Sequence, residues 1–124
     1  MERPDERITV VLGASPLPHR YANIAVRRLR AAGHSAVAVG RHAGAIGDVT
    51  IQPTWPEGIR VDTVTLYLNP LNQEPWSGTI IVAAPRHIIM NPGTENPNLA
   101  ERARAAGIEV VEACTLVMLS TGQY

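Results

Sequence analysis

The sequence contains no lysine and no phenylalanine, and it has a single cysteine, Cys114. Without lysine, the chain can form neither a Schiff base with a carbonyl substrate nor the lysine contact of a P-loop nucleotide site. Without phenylalanine, the hydrophobic core must be built from valine, isoleucine, leucine and alanine. One cysteine excludes an internal disulfide and fits a reducing compartment.

An excess of charge and a long hydrophobic run are also absent. Eleven basic residues balance eleven acidic ones, so the net charge gives no general attraction to nucleic acid. No apolar run approaches the roughly 20 residues that cross a bilayer, and residues 1–7 have no signal-peptide core behind them. We therefore expect one cytoplasmic domain over residues 1–124, with residues 1–7 as a loose leader and no membrane or nucleic-acid partner.

The stretch from Ile8 to Ala22 combines three patterns. Ile8–Leu12 is a continuous apolar run, typical of a strand buried on both faces, and it ends at Gly13. A turn of small residues follows, and then a helical pattern covers about Arg20 to Ala32. A strand, a glycine turn and a helix start form an anion site in many α/β proteins, because the first N–H groups of the helix point at the anion.

The rest of the chain alternates strand and helix patterns. A helix is predicted to begin after a cap at Thr94 or Asn96, with Pro97 in its first turn, and to end at Ala106. Leu71–Pro85 is ambiguous, and we choose a helix over roughly Pro75–Ala84, because parallel strands need a crossover of about a dozen residues. Gly40–Gly44 is interpreted as a loop, and Cys114–Tyr124 stays open between helix and strand. The further predicted strands are Ala36–Val39, a short edge strand around Val49–Gln52, Thr63–Leu68, His87–Met90 and Ile108–Val111.

This alternation predicts an α/β protein: a single Rossmann-like domain with an about five-stranded, mainly parallel sheet and helices on both faces. In such sheets the ligand lies beyond the carboxyl ends of the strands. The turns expected at that edge are Gly13–Tyr21, Gly40–Gly44, Leu68–Leu71 and Asn91–Thr94.

The residues of two turns narrow the class of ligand. A dinucleotide fingerprint would need glycine where this chain has Ser15 and Pro18. NAD-binding folds place an acidic residue after the second strand, whereas this chain has Gly40, Arg41 and His42. A basic side chain suits a phosphorylated ribose, which leaves coenzyme A with its 3′-phosphate or NADP with its 2′-phosphate.

Several short segments together carry a resemblance to a known family. They are Val10–Pro16, Arg20–Asn23, Ala25–Leu29, Ala32–His34, Asn91–Asn96 and Ala106–Val111, with Cys114 after them. In this order and spacing the chain resembles the stand-alone CoA-binding domain proteins, which are related to the CoA-binding domain of the succinyl-CoA synthetase alpha subunit. The resemblance covers nearly the whole chain. Two regions depart from it: Gly40–Arg41 replaces the usual asparagine-proline, and Gln52–Gly58 is atypical.

The resemblance implies a coenzyme A site with three parts. The pyrophosphate would be held by Gly13, Ala14 and Ser15 together with Arg20, Tyr21 and Ala22. The adenosine end would be flanked by Gly40 and Arg41. The pantetheine side would be bordered by Leu68, Asn69 and Pro70 and by Asn91, Pro92 and Gly93.

The function expected from the resemblance is binding of coenzyme A or an acyl-CoA without catalysis. In the related synthetases, catalysis needs a phosphorylated histidine in another domain and an ATP-binding partner. Two alternatives stay open: a small NADP-dependent oxidoreductase, which the lack of a Tyr-x-x-x-Lys pair disfavours, and a regulatory or structural domain with an unused pocket. A homodimer or a protein partner is compatible with the sequence, although no feature indicates one.

Some residues are interpreted without a role in chemistry. The four histidines show no metal-ligand spacing, and Cys114 is interpreted as a small structural residue. Trp55 and Trp76 are interpreted as packing residues, with contact to an adenine as the alternative. We also expect Gly13→Val to abolish CoA binding while leaving the fold largely intact.

Overall fold

The first strand, β1 (Ile8–Leu12), lies in the middle of the sheet, and all five of its residues are buried. Because successive side chains of a strand point to opposite faces, Val10 and Leu12 join one hydrophobic cluster while Val11 joins the other. The structure, a computed structural model, describes residues 7–124. Of the predicted leader, only Arg7 therefore lies within the described residues.

The described chain forms one sheet of seven strands in the order β3-β4-β2-β1-β5-β6-β7. Neighbouring strands are parallel except for β3, which runs antiparallel to β4. The α/β class and the mainly parallel sheet are confirmed. The strands after β1 are β2 (Ser35–Val39), β3 (Gly44–Ile46), β4 (Val49–Gln52), β5 (Val61–Leu66), β6 (His87–Met90) and β7 (Glu109–Glu112).

The predicted number of strands, about five, is too low. The expected edge strand at Val49–Gln52 is present, and β3 pairs with it, so that a hairpin turns at Gly47–Asp48. Gly47 has a φ of 60°, which glycine adopts without steric cost. Gly44, which we assigned to a loop, is the first residue of β3.

Within residues 7–124, two helices cover each face of the sheet. On one face, α1 (Tyr21–Ala31) and α4 (Thr115–Ser120) contribute Val26, Leu29 and Leu119 to the hydrophobic cluster. On the other face, α2 (Pro70–Ala83) and α3 (Pro97–Ala105) contribute Ile80 and Leu99. Helices on both faces are thus confirmed. The segment Cys114–Tyr124, which we left open between helix and strand, contains the helix α4.

The choice of a helix before β6 is confirmed, but its start is wrong, since α2 begins at Pro70 rather than Pro75. The side chain of Asn69 accepts a hydrogen bond from the N–H of Asn72 at 2.9 Å. Proline is favoured at the first helical position because its fixed φ suits the helix and it lacks an N–H that would stay unpaired. No helix within residues 7–124 is both long and apolar enough to cross a membrane.

Candidate functional site

A cleft of about 610 Å³ runs along the carboxyl edge of the sheet, and this volume is typical of small-molecule and cofactor sites. Its walls come from the turns after β1, β2, β4, β5 and β6, and from the first turns of α1 and α2. Most of the residues predicted for the site lie together here. They are Gly13, Ala14, Ser15, Arg20, Tyr21, Ala22, Gly40, Arg41, Leu68, Asn69, Pro92 and Gly93.

Two predicted site residues, Pro70 and Asn91, do not line the cleft. The side chain of Asn91 is buried, and its Nδ2 donates to Thr65 Oγ1 at 2.7 Å and to the Leu66 carbonyl at 2.8 Å. Its Oδ1 accepts the N–H of Thr115 at 2.9 Å. Asn91 therefore joins β5, β6 and the start of α4, and a contact with ligand stays a prediction for it.

The glycine turn after β1 is tied to the end of β2. The N–H groups of Gly13 and Ala14 both donate to the Val39 carbonyl, at 2.8 and 2.9 Å, so these two donors are already used within the protein. Gly13 has a φ of 99°, and a Cβ there would lie 2.9 Å from the Tyr67 carbonyl carbon. A valine at this position would therefore strain the fold as well as the cleft, contrary to the expectation from the sequence.

Gly40 has a packing role in the same corner. A Cβ on Gly40 would lie 2.1 Å from the carbonyl oxygen of Ala14, so no side chain fits between the two turns. The N–H of Gly40 donates to the Gln52 carbonyl at 3.0 Å. The turns after β1, β2 and β4 are thus joined by backbone contacts.

The start of α1 leaves its backbone donors open. Arg20 is the N-cap residue, with an extended backbone, and no side chain caps the helix. Because the first N–H groups of a helix have no partner within the helix, those of Tyr21, Ala22 and Asn23 are available. With no acidic residue in this turn, the positive end of the helix dipole borders the cleft without compensation.

Side chains from α1 hold the loop that leads into this helix. Asn23 Nδ2 donates to the Ser15 carbonyl at 2.9 Å, and Ser15 Oγ accepts the N–H of Leu17 at 3.1 Å. Arg27 donates from Nε to Asn23 Oδ1 at 2.9 Å and from Nη2 to the Pro18 carbonyl at 2.7 Å. The loop between β1 and α1 is therefore fixed against the helix.

Three basic side chains border the cleft: Arg20, Arg41 and His42. All three are exposed, and within residues 7–124 none of them forms an ion pair. The described residues that line the cleft include neither aspartate nor glutamate. The cleft is therefore electrostatically suited to an anion.

The turns after β5 and β6 contain a buried network of amide groups. Gln73 is fully buried, and its Nε2 donates to the carbonyl oxygens of Leu68 and Thr94, both at 2.8 Å. Its Oε1 accepts from Asn96 Nδ2 at 2.9 Å. Since each of these groups has an internal partner, this network positions the turns rather than presenting donors to a ligand.

Tyr67 forms part of the cleft wall, but its hydroxyl group points away from solvent. The hydroxyl oxygen is buried and, within the described residues, has no hydrogen-bond partner. Burial raises the pKa of Tyr67 to about 12, and the nearby hydroxyl groups of Thr115 and Thr65 lower it by less. The phenol is therefore neutral at physiological pH.

Sequence reasoning missed several residues of the cleft. Leu17, His42 and Thr94 lie in turns that we expected at this edge, but we did not name them as site residues. Asn72 comes from the part of α2 that precedes the predicted start at Pro75. The residues lining the cleft that were not named as site residues are Leu12, Leu17, Val39, His42, Pro53, Tyr67, Asn72, Trp76 and Thr94.

A second cavity, of about 320 Å³, is lined by residues at the amino ends of β1, β5, β6 and β7. Four of its ionisable side chains lie in pairs, with Arg86 Nε 3.1 Å from Asp62 and His87 Nε2 3.1 Å from Glu109. No group of three His, Cys, Asp or Glu side chains within residues 7–124 could hold a metal ion. The larger cleft is therefore the stronger candidate for a functional site.

Comparison with protein families gives one match. The model of a family described as CoA binding domain matches residues 7–120, which is nearly the whole chain. Comparison with curated protein sequences returns no significant match.

Comparison with solved structures gives close likenesses. A crystal structure described as that of an uncharacterized protein has a TM-score of 0.91 and 45% identity, covering 96% of this chain and 98% of the other. A hypothetical protein from Pyrococcus horikoshii OT3 has a TM-score of 0.82 and 22% identity, with coverages of 94% and 82%. The dinucleotide-forming acetyl-coenzyme A synthetase 1 of Ca. Korarchaeum cryptofilum, solved with phosphate and ADP, has a TM-score of 0.69 and 18% identity. The match covers 86% of this chain and 25% of that one, and at this identity it supports the fold alone.

Proposed function

We propose that this chain, which belongs to the CoA binding domain family, binds coenzyme A or an acyl-CoA in the cleft along the carboxyl edge. The observation that carries the proposal is the start of α1, which has no capping side chain and borders the cleft beside Arg20. Helix starts of this kind bind phosphate groups through their free N–H groups and the helix dipole. A cytoplasmic setting remains a prediction from the sequence.

The pyrophosphate of the ligand would lie against the first turn of α1. Tyr21, Ala22 and Asn23 would donate their backbone N–H groups, and the guanidinium group of Arg20 would supply a full positive charge. Gly13 and Ala14 would contribute close backbone surface rather than donors, since the Val39 carbonyl already accepts both of their N–H groups.

The adenosine end would lie over the turn after β2. Arg41 and His42 border the cleft there without an ion-pair partner in the described chain. A guanidinium group binds phosphate oxygens in a bidentate geometry, so Arg41 is the proposed partner of the 3′-phosphate. The pantetheine arm would then extend past Leu68 and Asn69 towards Pro92 and Gly93.

We also propose that the chain does not catalyse a reaction by itself. General acid–base catalysis needs a titratable group within reach of the reacting atoms. Among the described residues that line the cleft, no carboxylate or thiol is present. Of the two phenols there, that of Tyr67 is buried with a pKa of about 12, and that of Tyr21 lies at the proposed pyrophosphate end. The cleft-lining imidazole of His42 lies at the adenosine end of the proposed site.

Calorimetric titration with CoA, dephospho-CoA, NADP and NAD at one salt concentration tests the proposal. We expect CoA to bind most tightly and dephospho-CoA, which lacks the 3′-phosphate, to bind more weakly. Arg41→Met should weaken CoA binding and leave dephospho-CoA binding unchanged. Dephospho-CoA is therefore the control for a general loss of binding in this variant. Preferential binding of NADP would support the oxidoreductase instead, and binding of none of the four would contradict the proposed site.

A further inference from the structure

The two ends of the cleft differ in charge. The basic residues border the turns after β1 and β2, whereas the wall opposite them has no ionisable side chain. We call this the neutral wall. It is formed by the cleft-lining residues of α2 and of the turn after β6, which are Asn72, Trp76, Pro92, Gly93 and Thr94.

Two polar groups of the neutral wall are used within the protein. Thr94 Oγ1 donates to the Asn91 carbonyl at 2.8 Å, and the N–H of Asn72 donates to Asn69 Oδ1 at 2.9 Å. No arginine or histidine lies among the neutral-wall residues. A ligand carboxylate placed here would therefore find no ionic partner to offset the loss of its hydration.

A negative charge lies next to the neutral wall. Glu95 Oε1 accepts the N–H of Gly93 at 2.9 Å, which holds this carboxylate beside the turn after β6. A second carboxylate, carried by a ligand, would be repelled at this end of the cleft. The charges thus disfavour an acyl group that ends in a carboxylate.

Trp76 gives the neutral wall its apolar surface. The side chain is half-buried, packs against the hydrophobic cluster between the sheet and α2, and also lines the cleft. An indole ring offers a large, rigid contact surface for an alkyl group. Trp55 packs against the same cluster but does not line the cleft, which makes it a matched control.

We propose that the neutral wall receives the acyl group of a CoA thioester, and that this acyl group is uncharged and apolar. The inference rests on the proposed function, because it takes the pantetheine arm to run from the start of α1 to the neutral wall. Trp76 then serves as a specificity residue that contacts the acyl chain.

Titration with CoA, butyryl-CoA and succinyl-CoA tests this inference, since the two thioesters have acyl chains of equal length and differ in the terminal carboxylate. We expect butyryl-CoA to bind at least as tightly as CoA. Succinyl-CoA should bind about tenfold more weakly than butyryl-CoA, the effect of one poorly solvated charge. Glu95→Gln should narrow this difference while leaving CoA affinity unchanged.

Variants of the two tryptophans separate a role in specificity from a role in packing. Trp76→Leu should weaken butyryl-CoA binding relative to CoA, and Trp55→Leu should leave the ratio unchanged. In Trp55→Phe, Trp76 is the remaining tryptophan, so its fluorescence reports on contact with the acyl group. This fluorescence should change more with butyryl-CoA than with CoA. This second measurement does not depend on the stability of a Trp76 variant.

The possible results are distinguishable. If CoA binds but succinyl-CoA matches butyryl-CoA, the inference is overturned and the proposed function stands. Equal weakening of all three ligands by Trp76→Leu, without a selective fluorescence change, also overturns it. If CoA does not bind at all, the proposed function and the inference fail together.

Discussion

The cleft has two halves built by the same unit, a parallel strand followed by a helix, and they use their polar groups differently. In the half formed by β1 and α1, the helix starts at Arg20 without a capping side chain. In the half formed by β5 and α2, Asn69 caps the helix and Pro70 occupies its first position. The first half leaves its helix donors for a ligand, whereas the second uses the N–H of Asn72 internally and has none at Pro70.

The comparison extends to the loops. Near α2, Gln73 makes three hydrogen bonds that join the turns after β5 and β6, and α3 starts with the same pair of residue types, Asn96–Pro97. Near α1, Arg20 has no ion-pair partner in the described chain. We infer that the network of the β5–β6 half serves the stability of the fold alone, whereas the β1–α1 half, whose loop is held by Asn23 and Arg27, also keeps donors for a ligand.

The largest effect should come from Gln73→Met, which keeps the volume but removes every hydrogen bond of the side chain. It leaves the buried carbonyl groups of Leu68 and Thr94 without this partner, so unfolding should require about 3 kcal/mol less free energy. Chemical denaturation measures this loss. Gln123→Met, at an exposed position, is the control. A loss as small as that of the control would remove the distinction between the halves.

The next effect concerns Tyr67. Unlike Gln73 in the same half, its buried hydroxyl group has no hydrogen-bond partner in the described chain. Burial raises its pKa from 10.0 to about 12, so the unfolded state releases the proton first. The raised pKa stabilises the folded state by roughly 2 kcal/mol, after allowance for partial exposure. This stabilisation is complete below pH 10 and is lost as the pH rises to about 12.

Unfolding of wild type and Tyr67→Phe across this pH range isolates the contribution. The variant should lose less stability in alkali and should be nearly unchanged at neutral pH. Tyr124→Phe, which removes a hydrogen bond to Thr9, should instead cost about 1 kcal/mol at neutral pH. Identical alkaline profiles for wild type and Tyr67→Phe would contradict the assignment.

Arg20→Met should separate affinity from stability in the first half. Removing a guanidinium group that faces the pyrophosphate should weaken CoA binding about tenfold, while the unfolding free energy stays within about 0.5 kcal/mol of wild type. Arg28→Met is the matched control, since Arg28 lies in the same helix but outside the cleft. Equal effects of the two substitutions on calorimetric affinity would place the anion elsewhere.

The smallest effect should come from Arg20→Ser, which gives the first half the capping side chain that it lacks. A serine at the N-cap supplies the acceptor that α1 lacks, so the protein should gain about 0.5–1 kcal/mol of stability. CoA affinity should fall below that of Arg20→Met, because the serine competes for the N–H groups in addition to the loss of the guanidinium group. Asn69→Ala is the counterpart in α2 and should cost about 1 kcal/mol. A serine variant with lower stability would argue against an open helix start.

The fold was predictable where the local pattern agrees with the tertiary environment. The apolar run Ile8–Leu12 became the central buried strand because both faces of the sheet are covered. Two local signals were overlooked. Asn69–Pro70 has the same cap chemistry as Asn96–Pro97, one of the two caps that we considered for α3, and Gly47–Asp48 is a two-residue turn typical of a hairpin.

The location of the cleft followed from the rule that ligands lie beyond the carboxyl ends of parallel strands. The rule does not say which atoms face the cleft, because that depends on contacts between distant parts of the chain. The Val39 carbonyl takes the N–H groups of Gly13 and Ala14, and the side chain of Asn91 turns inward to Thr65. No local pattern specifies such pairings, and the ligand contacts of these residues stay predictions.

One carbonyl group, that of Val39, has a consequence for the kinetics of binding. By accepting two hydrogen bonds from the neighbouring turn, it ties the turn after β1 to the end of β2. We expect this part of the rim to need no ordering when a ligand binds, which removes a common entropic cost of association. In stopped-flow experiments the observed rate should therefore rise linearly with CoA concentration, in a single phase and without reaching a plateau.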